Sequence, residues 1–332
     1  MVTLAAPSLA AFIAEVGGRA ACLAISKDPN AKITILLFPP GNRRPAYVAK
    51  VPTTDTAARS VEREAARLAE LAECPLGLAS GTVPRLIGRF GYGSRTALVT
   101  TALPGRSMLA AYHAWHHTAH PDSVAADFAV AGEWLAELQR ATVQGTGSLD
   151  EALEGIAEAI RGRFGGRPGT DADLDKLGSL RKRLAGVRVP RGVMHGDFWP
   201  GNLLVSENRV SGVIDWEMAR VSGLGTSDLG RFVTAYSLYL DRHTRRGHRV
   251  PGHPGLRAER WGAGVEYVMR GTGWYPDLVR AFVRQGLERL GVPGSCWHDV
   301  LLADLAAVAA EADHTEFAWN HLLLFRRLGD RS

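Results

Sequence analysis

The sequence predicts an α+β protein of two parts, an N-terminal antiparallel sheet with one helix and a larger, mostly helical C-terminal region. Before residue 104, five short segments alternate apolar and polar residues or are rich in β-branched residues, which is typical of strands. After Ser107, apolar residues recur at the three- and four-residue spacing of helices. The pattern changes at Pro104-Gly105, and we therefore expect two domains, residues 1–103 and residues 104–332.

The individual elements follow from local patterns. Alternation predicts a strand at Ala46–Val51, and Thr54-Asp55 then caps a helix whose apolar positions continue to Leu71. The other predicted strands are Ala20–Ser26, Lys32–Phe38, Val83–Phe90 and Thr96–Leu103. The clearest helical patterns after them are Ala125–Ala141, Leu149–Arg163, Ala172–Leu184 and several segments between Leu256 and Leu328.

Composition and charge narrow the class of protein. The chain has 332 residues, 46% of them hydrophobic and 22% charged, which is ordinary globular usage. Its three cysteines form neither an even disulfide framework nor a paired metal motif, so we expect a reducing, cytoplasmic setting. The start of the chain, up to Val16, predicts an amphipathic helix and lacks the basic region of a signal peptide.

Two kinds of partner are not expected. No window of eighteen uninterrupted apolar residues exists, so we expect a soluble protein without membrane association. The net charge is +5, but the basic residues are spread along the chain. The densest cluster, Arg242–Arg249, has no interleaved aromatic residues for base stacking, so we expect a solvated loop and no nucleic-acid partner.

The most informative segment of the chain carries three oxygen-bearing side chains in a fixed order. Asp197 and Asn202 lie in one Gly- and Pro-containing loop that begins at His195, and Asp215 ends a β-branched run that follows. Phosphoryl transfer needs a carboxylate for the attacking hydroxyl and oxygen ligands for Mg²⁺ on the phosphates. A surface turn, which also favours Asp and Asn, is the alternative, but it does not explain the ordered set.

These residues carry a family resemblance. His195-Gly196-Asp197, the later Asn202 and the segment Ile214-Asp215-Trp216-Glu217 resemble the aminoglycoside phosphotransferase and choline kinase group. That group is the small-molecule branch of the protein-kinase-like fold, which has two lobes. The resemblance implies that Asp197 accepts the proton of the attacking hydroxyl and that Asn202 and Asp215 bind Mg²⁺. It also implies that ATP is the phosphoryl donor. For His195 it implies a supporting role in the loop and no part in the chemistry.

The resemblance assigns further residues in the N-terminal part. Lys50 is expected to pair with phosphates, with Glu64 as its partner and Glu62 as the alternative. An ordinary exposed lysine at a sheet edge is the other interpretation of Lys50. The junction at Thr101, Ala102 and Leu103 corresponds to the hinge that binds adenine through backbone groups, and it also fits an ordinary strand-to-turn junction.

One departure from the protein-kinase pattern concerns the turn that covers the phosphates. The turn Lys27-Asp28-Pro29-Asn30 contains no glycine, although glycines normally let backbone N–H groups approach phosphate oxygens. Phosphate contacts from this backbone are therefore in doubt. The side chains of Ser26, Lys27 and Asn30 are alternative donors.

Several other polar residues have two interpretations. Asp228 either closes the catalytic centre or caps a helix. Four histidines fall at helical spacing and suggest either a transition-metal site or a polar helix face: His113, His116, His117 and His120. Five acidic residues of the C-terminal region could bind a cationic acceptor or lie on solvated faces: Glu259, Glu266, Glu311, Asp313 and Glu316.

The sequence thus predicts an ATP- and Mg²⁺-dependent phosphotransferase that acts on a hydroxyl of a small molecule, an aminoglycoside-like amino sugar or a related polyol. The helices predicted between Leu149 and Leu184 form an insertion at a place where this family builds acceptor specificity. The alternative is an inactive, nucleotide-binding regulatory protein, which the glycine-free turn suggests and the intact Asp197, Asn202 and Asp215 oppose. The sequence does not determine the oligomeric state.

Overall fold

The computed structural model describes residues 7–25 and 30–329. Its N-terminal part is a five-stranded antiparallel sheet with strand order β1-β2-β3-β5-β4, flanked by two helices. In chain order these elements are α1 (Leu9–Val16), β1 (Arg19–Ile25), β2 (Lys32–Phe38), β3 (Tyr47–Pro52), α2 (Asp55–Ala72), β4 (Leu86–Tyr92) and β5 (Arg95–Thr101). All five predicted strands are present. The fourth begins later than predicted because Pro84 has no N–H to donate to a neighbouring strand.

Helix α2 positions one acidic side chain inside the protein and a neighbouring one outside it. The Thr54 side chain caps this helix by accepting a hydrogen bond from the Ala57 N–H at 3.1 Å. Glu64 lies three residues after Val61 and four before Leu68, so it shares their buried face. Glu62 lies off that face and pairs with Arg89 at 3.5 Å.

The C-terminal part is mostly helical, as predicted, and also contains short strands. Its elements in chain order are β6 (Arg106–Ser107), α3 (Met108–Tyr112), α4 (Pro121–Thr142), β7 (Thr146–Ser148), α5 (Leu149–Phe164), α6 (Thr170–Arg183), β8 (Arg188–Met194), β9 (Leu203–Ser206), β10 (Arg209–Val213), β11 (Arg220–Leu224), α7 (Thr226–Leu238), β12 (Arg249–Val250), β13 (His253–Arg257), α8 (Ala263–Arg270), α9 (Trp274–Arg289), α10 (Trp297–Glu311) and α11 (Thr315–Leu328). None of the helices described here combines the length and apolar character that crossing a bilayer requires.

Two small sheets hold the loop of Asp197. Strands β9 and β10 form a hairpin, and β6 joins its edge. Strand β8 lies between β7 and β11 in a second sheet. That second sheet was not predicted, because β8 contains Pro190 and Gly192, which weaken a strand pattern.

Aromatic side chains form the support below the loop. Trp134 of α4 stacks on Phe198, with ring centroids 5.1 Å apart and an interplanar angle of 11°. Trp216 packs against both Trp134 and His195. Phe198 and Trp216 are fully buried, so the residues next to them in sequence, Asp197 and Asp215, are anchored to one core.

The prediction of four histidines on one helix is wrong. Helix α3 ends at Tyr112, His116 adopts a left-handed conformation with φ 59°, and Pro121 opens the next helix. His117 Nε2 lies 2.8 Å from Asp127 Oδ2, whereas His113 is near His243. Across residues 7–25 and 30–329, no group of three or more His, Cys, Asp or Glu residues is arranged to hold a metal ion.

Candidate active site

The loop from His195 to Asn202 presents the Asp197 carboxylate between two donors. The Asn202 side-chain amide donates to Asp197 Oδ2 at 3.1 Å and to the Asp197 carbonyl at 2.9 Å. Arg231 of α7 donates to Asp197 Oδ1 from Nη2 at 2.7 Å and from Nε at 3.1 Å. These donors orient the carboxylate, which is 30% exposed.

The start of this loop is fixed from below by Asp228. Its two carboxylate oxygens accept the backbone N–H groups of His195, at 2.7 Å, and of Gly196, at 2.8 Å. Asp228 lies in the first turn of α7, whose cap residue is Gly225, so its role is to hold the loop. Gly196 has φ 82°, and a Cβ there would come within 2.3 Å of the Met218 carbonyl oxygen, so only glycine fits.

His195 links the loop to the segment of Asp215. Its Nε2 lies 2.9 Å from the Ile214 carbonyl oxygen, and its Nδ1 accepts the Asp197 N–H at 3.2 Å. The Ile214 N–H in turn donates to the Asn202 carbonyl at 3.0 Å. The three predicted oxygen-bearing residues are thus brought together through backbone hydrogen bonds.

Asp215 and Glu64 both contact Lys50, which reaches them from β3. Lys50 Nζ lies 2.6 Å from Glu64 Oε1 and 2.7 Å from Oε2, and it also donates to Asp215 Oδ1. Burial acts against an ionised Asp215, but the ammonium groups of Lys50 and Lys32 outweigh it and lower the Asp215 pKa. Burial raises the pKa of Glu64, which Lys50 only partly offsets. Asp215 is therefore the carboxylate that stays ionised at low pH.

Replacing Glu64 tests its role in holding Lys50. We expect Glu64→Gln to weaken ATP binding by roughly tenfold, because an amide holds an ammonium group less firmly than a carboxylate does. Isothermal titration with Mg·ATP measures the effect. Glu62→Gln is the matched control, since Glu62 lies on the same helix but contacts Arg89. Equal affinities of the two variants would contradict the assignment of Glu64.

A second lysine reaches the same segment from the neighbouring strand. Lys32 Nζ of β2 lies 2.7 Å from Glu217 Oε2 and 2.9 Å from Ser60 Oγ. Ser60 also donates to Glu217, and the Asn30 side-chain amide donates to Glu217 Oε1 at 3.1 Å. Of the side chains predicted as phosphate donors in the turn, Ser26 and Lys27 lie outside the described residues.

A cavity of about 1150 Å³ lies beneath the five-stranded sheet. Its lining includes Lys32, Lys50, Glu64 and Asp215, and also residues 101–103. The Ala102 N–H already donates to the Ala46 carbonyl at 2.8 Å, and the Thr101 N–H donates to the Arg85 carbonyl at 2.9 Å. Their carbonyl groups and Leu103 are the remaining candidates for backbone contact with a flat ring.

A second cavity, of about 610 Å³, opens on the other side of Asp197. Helix α5 of the insertion provides part of its wall, together with β11, α7 and α10. Of the five acidic residues singled out in the sequence, Glu311 and Asp313 line this cavity, and Glu311 pairs with Arg220 at 2.8 Å. Glu259 and Glu266 line a different surface depression, and Glu316 lines neither.

Asp304 of α10 lines the same cavity as Arg231, and its ionisation makes the free energy of unfolding depend on pH. Burial raises the pKa of Asp304 from 3.8 to about 6, against the opposing effects of Arg231 and of the Thr234 hydroxyl, which donates to it at 2.6 Å. Between pH 3.8 and about pH 6, Asp304 is therefore protonated in the folded state and ionised in the unfolded state. Ionisation of Asp304 lowers the free energy of unfolding as pH rises, by on the order of 3 kcal/mol in total.

Asp304→Asn is expected to remove the contribution of Asp304 to the pH dependence of the free energy of unfolding. Urea unfolding at pH 5 and pH 7 measures it, since the Asp304 component should make the wild type about 1 kcal/mol less stable at pH 7 than at pH 5. The variant should lose this difference, whereas the control Asp175→Asn, on an exposed face of α6, should keep it. An unchanged difference in Asp304→Asn would show that another group is responsible.

Three residues of the site were missed from the sequence. Arg231 and Asp304 come from helices α7 and α10, and the sequence pattern predicts Lys32 only as part of a strand. A signal existed for Arg231, which lies one helical turn after Asp228 and on the same side of the helix. For Asp304 and Lys32 the partners are remote in sequence, and no local pattern marks them.

The oxygen atoms near Asp197 fit a magnesium ion. Asn202 donates through its amide nitrogen, so its side-chain oxygen remains available to a cation, and the Asp215 side chain is 39% exposed to the cavity. Mg²⁺ usually binds through one or two such protein oxygens together with phosphates and water. The residues present therefore fit this ion.

Comparison with known proteins places the chain in a family. The profile of the phosphotransferase enzyme family matches residues 40–258, more than half of the chain. The aminoglycoside phosphotransferase APH(2'')-IIa, solved with streptomycin and ATP, shares 16% sequence identity and has a TM-score of 0.53, over 98% of this chain and 97% of that one. No curated protein matches the chain by sequence.

A second solved structure has the same fold. A thermostable mutant of aminoglycoside phosphotransferase APH(4)-Ia shares 13% identity and has a TM-score of 0.58, over 97% of this chain and 99% of that one. A further variant of that enzyme, solved with AMP-PNP and hygromycin B, gives 14% identity and a TM-score of 0.57, over 98% of this chain and 99% of that one. The chain therefore belongs to the phosphotransferase enzyme family, as a small-molecule kinase with the protein-kinase-like fold of the aminoglycoside phosphotransferases.

Proposed function

We propose that this protein transfers the γ-phosphoryl group of ATP to a hydroxyl of a small molecule, an aminoglycoside-like amino sugar or a related polyol. Residues 1–103 form the nucleotide-binding lobe, and residues 104–332 form the lobe that carries the catalytic loop and binds the acceptor. The three cysteines are free thiols, which supports a cytoplasmic setting.

The observation that carries the proposal is that Asp197 and Asp215, which backbone hydrogen bonds bring together, line two different cavities. Asp215 lines the larger cavity with Lys50, and Asp197 lines the smaller one. A hydroxyl in the smaller cavity that hydrogen-bonds to Asp197 faces the phosphates of a nucleotide in the larger one. Holding two reactants in such an arrangement is the main means of catalysing phosphoryl transfer.

Each residue of the site has a role in this reaction. Asp197 orients the acceptor hydroxyl and accepts its proton, and Arg231 and Asn202 hold its carboxylate in place. Lys50, braced by Glu64, pairs with the phosphates that are not transferred. Backbone groups of residues 101–103 contact the adenine ring.

Asn202 and Asp215 would hold Mg²⁺ through their side-chain oxygens. A bound Mg²⁺ would supply positive charge that neutralises the charge of the phosphates. The contribution of the chain is to keep Asp215 ionised through Lys50 and to fix Asn202 against Asp197.

The walls of the smaller cavity support a polyol or amino-sugar acceptor. Glu311 and Asp313 can accept hydrogen bonds from hydroxyl or ammonium groups, and the apolar residues of α5 and α10 offer a surface for the carbon face of a sugar ring. Three arginines, Arg191, Arg220 and Arg231, also line it and limit how much positive charge an acceptor carries there.

Mg²⁺-dependent ATP turnover by the purified protein tests the proposal. The panel of acceptors includes aminoglycosides, amino sugars, macrolides, choline and simple sugars, with Asp197→Asn as the control. If one class of acceptor stimulates ATP turnover and Asp197→Asn abolishes the stimulation, the result supports kinase activity and identifies the class of acceptor. Binding of Mg·ATP without turnover of any acceptor favours the regulatory, nucleotide-binding alternative, and failure to bind Mg·ATP contradicts both.

A further inference from the structure

We propose that Lys32 is a second phosphate-binding lysine, which Glu217 holds until the phosphates of a nucleotide take its place. The inference rests on the proposed ATP-dependent function and assigns a residue that the sequence motifs do not. It explains how a site with a glycine-free phosphate turn can bind a polyphosphate.

The sheet register places Lys32 beside Lys50. Thr34 of β2 pairs with Lys50 of β3, and Lys32 pairs with Pro52. Lys32 and Lys50 are therefore diagonal neighbours on the same face of the sheet, within reach of one extended ligand. Both line the cavity of about 1150 Å³.

A further cation near the phosphates is expected because the sequence between β1 and β2 contains no glycine. Side chains hinder the close approach of successive backbone N–H groups to phosphate oxygens, so cationic side chains must supply more of the binding. A lysine binds phosphate as a mobile point charge on a flexible stem. Lys32, two residues after Asn30 of that turn, is the next cation along the chain.

The contacts of Glu217 make the exchange favourable. Glu217 is bonded to Lys32 at 2.7 Å, and it also accepts hydrogen bonds from Ser60 and Asn30. The Ser60 and Asn30 hydrogen bonds remain when Lys32 leaves, so the carboxylate, which is 15% exposed, is not left unpaired. A polyphosphate carries more negative charge than one carboxylate and attracts the ammonium group more strongly.

Nucleotide titrations of three proteins test the inference: the wild type, Lys32→Met and Glu217→Gln. Titrations with ATP, ADP and adenosine are done in EDTA, so that metal coordination does not contribute. Lys32→Met should weaken ATP binding by roughly 10- to 100-fold and leave adenosine binding unchanged. Glu217→Gln should tighten ATP binding by roughly threefold or more, because the competitor for Lys32 loses its charge.

Controls separate a phosphate contact from a structural one. Lys32→Arg keeps the charge and should recover most of the ATP affinity, and Lys182→Met, on the exposed face of α6, should match the wild type. The inference is overturned if Lys32→Met binds ATP as tightly as the wild type does. It is also overturned if Lys32→Met weakens adenosine binding by the same factor as ATP binding. If the wild type binds no nucleotide at all, the proposed function itself fails.

Discussion

Asp197→Asn is expected to lower kcat by roughly 10²- to 10⁴-fold, the usual effect of removing a general base. In the proposed reaction the carboxylate accepts the proton of the acceptor hydroxyl, and an amide cannot. Asparagine keeps an oxygen that can accept from Arg231, so the half-buried guanidinium is not left without a partner. The affinity for Mg·ATP and the melting temperature should therefore stay close to the wild-type values.

Steady-state kinetics with the acceptor found in the panel measure this effect, and thermal unfolding checks the fold. The surface variant Asp175→Asn serves as the control for loss of one carboxylate. A kcat within tenfold of the wild type would remove Asp197 from the proton transfer. A fall in melting temperature alone would indicate that Asp197 acts mainly as a partner of Arg231.

The parts of the fold that depend on neighbouring residues were predictable. The strands of the N-terminal sheet and helix α2 follow from alternation and capping, and the structure places them within a few residues of the prediction. The order of Asp197, Asn202 and Asp215 was readable because one short loop and one hairpin hold all three. The preference for Glu64 over Glu62 came from the family resemblance, and the structure adds a physical reason, since Glu64 lies on the buried face of α2.

The parts that depend on remote contacts were not predictable. Arg231 reaches Asp197 across 34 residues of chain, and Lys32 reaches Glu217 across 185. Such pairs are set by how helices and sheets pack, and charge alone does not mark them in a sequence. The histidine prediction failed for a related reason, since equal spacing indicates one face only if a single helix continues, and here Pro121 begins a new one.

These remote pairs also explain how the two lobes are joined at the site. Lys50 and Lys32 extend from adjacent strands to Asp215 and Glu217, which lie on one short segment of the C-terminal lobe. Each lysine therefore connects the sheet to the segment that carries the proposed metal ligand. A nucleotide that draws these lysines towards its phosphates changes both connections at once.

Asp215→Asn is expected to abolish the Mg²⁺-dependent part of ATP binding and, with it, turnover. Asp215 has φ 63°, a left-handed conformation that asparagine adopts more readily than other residues. The substitution therefore keeps the backbone and removes only the charge. Lys50 retains Glu64 as its partner, so binding of metal-free ATP should persist.

Titration of ATP with Mg²⁺ and with EDTA measures the two affinities separately. In the wild type, Mg²⁺ should tighten ATP binding, and in Asp215→Asn the two affinities should coincide, because a neutral amide is a weaker ligand for a hard cation than a carboxylate is. Asp197→Asn is the matched comparison, since it loses a carboxylate in the same site but should keep the effect of Mg²⁺ on binding. If Mg²⁺ tightens binding equally in both variants, Asp215 does not bind the metal, and its contact with Lys50 is its main role.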